Sequence, residues 1–148
     1  MRIVLQRVAQ AAVEVEGREV SRIGTGLVAL VCVTHGDDAA VVTAAARKVA
    51  GLRLFEDAAG KMNLDLAAVG GELLVVSQFT LVADTSRGRR PSFEGAAAAG
   101  LAEPLVELFV ALLRREGFCV ATGRFGAHMK LSLTNDGPVT LVLDFQSA

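Results

Sequence analysis

The run Leu27 to Val33, Leu-Val-Ala-Leu-Val-Cys-Val, limits what this chain can fold into more than any other stretch. It follows Gly24-Thr25-Gly26 and shows no polar alternation, so it reads as a strand covered on both faces rather than one. Covering both faces takes further layers, and the next segment supplies one. Asp37 and Asp38 are good N-caps for a helix over about Ala39 to Leu52, where Val42, Ala45, Ala46, Val49 and Leu52 form an apolar stripe. Leu73 to Val76, entered through Gly70-Gly71, is a second buried strand. A second helix around Pro104 carries Leu101, Leu105, Leu108, Phe109 and Leu112 on one face and stops at Gly117.

Shorter strand candidates flank this centre. Ile3 to Val8 opens the chain, and Ala12 to Val15 with Val20 to Ile23 suit a hairpin turning at Glu16-Gly17-Arg18-Glu19. Phe118 to Thr122, Met129 to Leu133 and Val139 to Phe145 close it. Strands, then strand and helix twice, then strands again predict an α/β protein with helices packed on a mixed sheet. At 148 residues, one domain over positions 1–148 is expected, with no linker. No repeat occurs, and low complexity is confined to Ala96 to Ala99.

Composition bounds the setting. A 52% hydrophobic, 21% charged chain has ample material for a core and is not disordered. Net charge −1 and a pI near 6.1 argue against non-specific coating of nucleic acid, while leaving room for a local basic patch. The two cysteines, Cys32 and Cys119, each lie in an apolar run, which suits a reducing compartment. Ile3-Val4-Leu5 followed at once by Gln6-Arg7 is too short and too polar for a signal peptide, so none is expected, and no apolar run reaches the roughly 20 residues of a membrane span. A cytoplasmic protein with no membrane partner is expected.

Several chemistries have no footing. His35 and His128 are the only histidines, and no Cys or His pair has metal-ligand spacing, so no metal and no cofactor is expected. His128 is expected at a strand surface or rim. No phosphate-binding glycine loop and no G-x-S-x-G elbow is present. A Ser–His–Asp triad assembled in space from Ser77, His35 and an aspartate stays open, although nothing in their order recommends it.

Three segments are richer in function-bearing residues than a plain core needs. Ser77-Gln78-Phe79-Thr80-Leu81 ends the second buried strand, where α/β proteins expose polar groups to ligands; the plainer reading is a satisfied polar strand end. Arg87-Gly88-Arg89-Arg90-Pro91-Ser92-Phe93 concentrates arginine in a loop, either as a phosphate-binding patch or as a solvated surface. Asn135-Asp136-Gly137-Pro138-Val139-Thr140 lies between two strand candidates, where Gly-Pro ordinarily marks a turn and is also a place for a cis bond.

Taken in order with Gln6-Arg7-Val8, Gly60-Lys61-Met62-Asn63-Leu64 and Thr122-Gly123-Arg124-Phe125, these segments make the chain resemble bacterial D-aminoacyl-tRNA deacylases over nearly its whole length. The resemblance implies a homodimer with a three-layer β/β/α fold of mixed sheets and two main helices. It implies a substrate, tRNA carrying a D-amino acid or glycine on its 3′-terminal adenosine. It places Ser77, Gln78, Phe79 and Thr80 at the adenosine and reaction site, and Phe125 and Met129 in the pocket wall. Gly137 and Pro138 would form a cis peptide that enters the partner subunit's active site and rejects L-residues.

An aminoacyl ester is already activated, so its hydrolysis needs positioning and charge stabilisation more than a strong base. Backbone N–H groups near Phe79 and Thr80 can serve a developing oxyanion. A water aided by the ribose 2′-hydroxyl is preferred to Thr80 as nucleophile, since no histidine adjoins Thr80 in sequence. Arg87, Arg89 and Arg90 are candidates for tRNA backbone contact. The competing readings are a small-molecule esterase and a tRNA-binding module without hydrolytic activity.

Overall fold

In a computed structural model, which describes residues 1–147, the two apolar runs lie side by side. The elements in order are β1 (Arg2–Val15), β2 (Arg18–Ile23), β3 (Gly26–Cys32), α1 (Ala39–Gly51), β4 (Phe55–Glu56), β5 (Met62–Leu64), β6 (Glu72–Ser77), α2 (Ala99–Arg115), β7 (Val120–Thr122) and β8 (Lys130–Asp144), with a single 3-10 turn at Phe79–Val82 after β6. β3 and β6 pair in parallel, from Gly26 opposite Glu72 to Val31 opposite Ser77. The sheet runs β2-β1-β3-β6-β7, with β8 on the other edge of β1. β4 and β5 form a separate small hairpin.

Two apolar clusters show why the central strands lack polar alternation. Leu27, Ala29 and Val31 of β3 and Leu73 and Val75 of β6 pack under Val42, Ala45 and Val49 of α1 and Phe109 and Leu113 of α2. The opposite face, Val28, Leu74 and Val76, packs against Val8, Ala11, Val13 and Val15 of β1 and Ile23 of β2. The far half of β1 therefore folds over the centre with β2 and β8. The result is the β/β/α layering that the resemblance implies. Each fully buried Leu or Val contributes about 1.5–3 kcal/mol, so both faces of β3 and β6 drive folding.

The structure alters several expected boundaries. Ile3 to Val8 and Ala12 to Val15 belong to one strand, β1, which keeps pairing with β8 through two register slips around Val8. Met129 to Leu133 and Val139 to Phe145 likewise merge into β8. The Asn135–Pro138 segment is not a hairpin turn, because the chain does not reverse there. α1 ends at Gly51 and is capped by Asp38, which accepts from Val41 N at 3.0 Å. Asp37 serves instead as an anchor, 2.6 Å from the Met1 ammonium and accepting from Thr34 N.

α2 buries Ala102, Phe109, Val110 and Leu113, a stripe rotated from the expected one, and leaves Leu101 46% exposed. Its alanines and valines allow more than one apolar face. Phe118 and Cys119 precede β7 rather than opening it.

Candidate active site

β6 delivers Ser77 to the carboxyl end of the central sheet. The N–H of Gln78 extends the ladder once more, donating to Val31 O at 2.8 Å, and the chain then tightens into the 3-10 turn. Among the described residues no protein group accepts from the N–H of Phe79 or Thr80, because the first donors of a helical turn lie ahead of any acceptor. Cys32 Sγ donates to the carbonyl of Phe79 at 3.5 Å and ties the turn to β3. Burial pushes the Cys32 thiol above its ordinary range, so it stays protonated as a donor.

Beneath this turn opens a cleft of about 470 Å³. Ser77, Gln78 and Phe79 line one side, Phe125, His128 and Met129 another, and Cys32, Ala97 and Ala102 its apolar depth. Thr80 is not part of the lining; its hydroxyl accepts from the Gln78 side-chain amide. An amide cannot take up a proton, so this pairing orients the Thr80 oxygen without activating it. No hydrogen bond among the described residues joins Ser77 to a histidine, and His35 instead meets the Glu94 carbonyl at 2.7 Å. The triad left open by the sequence is not assembled. His128 lies on the loop before β8, not on a strand.

The opposing wall depends on Gly123. Its N–H donates to Val75 O at 3.0 Å, holding the loop to β6. A Cβ there would come within 2.6 Å of the Met129 sulfur, so glycine makes room for Met129 to fold back into the cleft. The sulfur accepts from Arg124 N at 3.4 Å.

Phe79 is 56% exposed, large for an aromatic ring beside a cleft, and packs edge-on against Phe93 with centroids 5.2 Å apart. That contact ties the arginine loop to the site. Asp84 and Ser92 close the loop through two backbone hydrogen bonds of 2.8 and 2.9 Å, and Arg87, Arg89 and Arg90 between them are all exposed.

Gly137 and Pro138 are not brought to this cleft. Gln6 faces Thr140 and Val8 faces Asn135, so the four residues Asp136 to Val139 stand opposite Arg7 alone, with Asp136, Gly137 and Pro138 exposed and Val139 turned into the core. The bulge sits near the start of β3, since Arg7 faces Leu27, whereas Ser77 is opposite Val31 at its end. Four residues of strand separate the two levels, about 13 Å. The Gly137–Pro138 peptide is cis, with Gly137 at φ +128°, a region that favours glycine. Both residues are exposed.

What holds the bulge was not assigned from the sequence. Arg7, only 7% exposed, donates to Asp136 O at 3.0 Å and Leu54 O at 2.7 Å. Asn135 donates to the carbonyls of Arg7 and Val139 at 2.9 and 3.0 Å. An arginine inside an apolar strand was the available signal for the first; the second had none.

Polar groups at a parallel strand end above an apolar cleft define a small α/β protein built to take a ligand with both polar and apolar parts. Comparison with known proteins narrows that class. The chain belongs to the D-Tyr-tRNA(Tyr) deacylase family, whose profile matches residues 4–144. It is 58% identical over 144 residues to a D-aminoacyl-tRNA deacylase of Thermomicrobium roseum, covering 97% of this chain and 94% of that one. A D-aminoacyl-tRNA deacylase of Dinoroseobacter shibae is 54% identical, with 97% and 99% covered. Among solved structures, the c-Myc DNA Unwinding Element Binding Protein superposes with a TM-score of 0.91 at 36% identity, covering 97% of this chain and 98% of that one. A probable eukaryotic D-amino acid tRNA deacylase shares the fold at a TM-score of 0.83 and 18% identity, with 96% and 97% covered.

Among the described residues no helix is long and apolar enough to cross a membrane, and no group of three His, Cys, Asp or Glu side chains is placed to hold a metal ion.

Proposed function

We propose that this protein hydrolyses the ester joining a D-amino acid, or glycine, to the 3′-terminal adenosine of tRNA, and spares L-aminoacyl-tRNA. The observation that carries the reading is the pair of unengaged N–H groups at Phe79 and Thr80, held above an apolar cleft by Cys32 and the end of β6. Family membership supplies the substrate class.

Water attacks the ester carbonyl carbon, and the charge that gathers on the carbonyl oxygen is met by those N–H groups. One such donor is typically worth about 3–4 kcal/mol in the transition state. Collapse expels the ribose 3′-oxygen, which gains a proton through the neighbouring 2′-hydroxyl as the water loses one. Gln78 holds the Thr80 hydroxyl in place, and Phe125 and Met129 enclose the rest of the substrate. Arg87, Arg89 and Arg90 contact tRNA phosphate.

Selection of hand rests on the bulge at Gly137 and Pro138. It lies about 13 Å along the sheet from Ser77 within one chain, so it serves a cleft by reaching across a twofold axis into a second copy. In that homodimer its exposed backbone would stand where the side chain of an L-residue must go, and a residue at 137 without a Cβ lets it come close. Glycine, lacking a side chain, passes this filter. The reaction belongs in the cytoplasm, where aminoacyl-tRNA is used.

A nucleic-acid-binding role without turnover is the second reading, favoured by the 36% identity to the c-Myc DNA Unwinding Element Binding Protein. Deacylation of D-tyrosyl-, L-tyrosyl- and glycyl-tRNA by the purified protein, with chelator present, separates the two. Release of D-tyrosine and glycine but not L-tyrosine is expected. Tight tRNA binding with no release would establish the binding reading.

A further inference from the structure

A second cleft of about 460 Å³ lies on the other side of Phe125, between α2 and the β6–β7 edge. It shares Ser77 and Phe125 with the first cleft, and so continues the site. Val106 and Val110 of α2 give it an apolar wall opposite the ring of Phe125. Glu103 and Glu107, one helical turn apart, line it together with Arg124 and with Arg114, whose Nη2 donates to Val120 O at 2.8 Å. Neither glutamate nor Arg124 has an ion-pair partner among the described residues.

The two guanidiniums offset the charge of the two carboxylates, which are left as free hydrogen-bond acceptors beside the binding site. The apolar wall offers an aromatic base a surface to pack on; the carboxylates accept from an exocyclic amine, as Asp and Glu do with cytosine N4; Arg124 fits the linking phosphate. A single nucleotide suits a cleft of this size. Every tRNA acceptor end places a cytidine immediately before its terminal adenosine.

We propose that this second cleft is the subsite for that penultimate cytidine, with Phe125 dividing it from the adenosine and aminoacyl group in the first. Glu103 and Glu107 take the cytosine amine, and Arg124 the phosphate between the two nucleotides. The assignment rests on the deacylase reading above. It makes Glu103, Glu107 and Arg124 binding residues that never touch the ester.

The test compares kcat/KM for D-tyrosyl esters of adenosine alone, of cytidylyl-adenosine and of uridylyl-adenosine. Wild-type protein should gain about ten-fold on adding cytidine and markedly less on adding uridine, which lacks the amine. The Glu103→Ala/Glu107→Ala double variant, with a good helix former at both places, should lose the cytidine gain while matching wild type on the adenosine ester. Arg124→Gln should lose the gain for both dinucleotides. Equal wild-type rates on adenosine and cytidylyl-adenosine esters would overturn the subsite. So would an equal fall of the double variant on every ester, or a changed preference between D-tyrosyl and D-lysyl esters, which would make the cleft a side-chain pocket. Failure of wild type to cleave any ester, D-tyrosyl-tRNA included, would instead sink the deacylase reading.

Discussion

The Arg7 guanidinium lies beneath the main chain of Asp136, donating from Nε to its carbonyl at 3.0 Å, across 129 positions of sequence. The same group reaches Leu54 O at 2.7 Å, so one buried side chain joins β1, the segment before β4 and the bulge of β8. Replacing Arg7 by Ala leaves two carbonyls without their donor and should cost about 3 kcal/mol in stability, measured by urea unfolding. Arg7→Lys should recover part of the stability but not the two-directional grip. If the bulge selects hand, both variants will release L-tyrosine from tRNA faster than wild type. Unchanged discrimination in a folded Arg7→Lys protein would detach this anchor from selectivity.

Thr80 gives a sharper chemical test. Its hydroxyl is held by the Gln78 amide, which cannot act as a base. Thr80→Ala keeps the backbone N–H and should slow deacylation by no more than about ten-fold, the scale of one neutral hydrogen bond. Complete loss of turnover, with folding and tRNA binding intact, would make the hydroxyl the nucleophile.

Neutralising the exposed loop with Arg87→Gln, Arg89→Gln and Arg90→Gln together should raise KM for tRNA and leave kcat near wild type. The plot of log KM against log salt should flatten as well, because fewer counterions are released on binding. A KM and salt slope identical to wild type would remove the loop from the RNA interface.

The two thiols should separate in a labelling experiment at neutral pH. Cys119 is exposed, whereas Cys32 is buried with its thiol pushed up by desolvation. One equivalent of a thiol reagent should therefore react quickly and the second only on unfolding. Two fast equivalents would show that the 3-10 turn does not cover Cys32.

Acid should act on the Arg2–Asp144 pair at the end of β1 and β8. The hydrogen bond from Arg2, 2.8 Å long, holds the Asp144 carboxyl below its ordinary range. A lowered folded-state pKa stabilises at pH above the unfolded value, and that stabilisation fades as pH falls through the folded value. The pair is largely solvent-facing, so the effect is small. The Tm difference between wild type and Asp144→Asn should be largest near neutrality and close below the usual carboxylate range. A difference that grows on acidification would reverse the sign.

How much could be read before the fold was known follows the range of each interaction. Leu27 to Val33 announced its burial because covering both faces of a strand leaves a local mark in composition. The second buried strand was legible for the same reason, and β6 does end at Ser77, where the apolar run gives way to polar residues. The merging of two short strands into β1 was hidden, because slips near Val8 interrupt the alternation while the partner strand stays the same. Gly137-Pro138 looked like a turn since turn and bulge call on the same residues; only the continued pairing with β1 tells them apart. Arg7 is odd in an apolar strand, but its acceptors at Leu54 and Asp136, like the Arg7 carbonyl that Asn135 reaches, are distant in the chain, so the sequence does not reveal the pairing.

The bulge of β8 has both feet nailed to one neighbour, Gln6 facing Thr140 on one side and Val8 facing Asn135 on the other. It is thus a short span anchored at both ends, with Arg7 donating to the carbonyl of Asp136 within it. If the bulge selects hand as proposed, a gauge mounted this way would check each substrate without a closing step. Its error rate would then be a property of geometry, the same whether mischarged tRNA arrives rarely or in a flood.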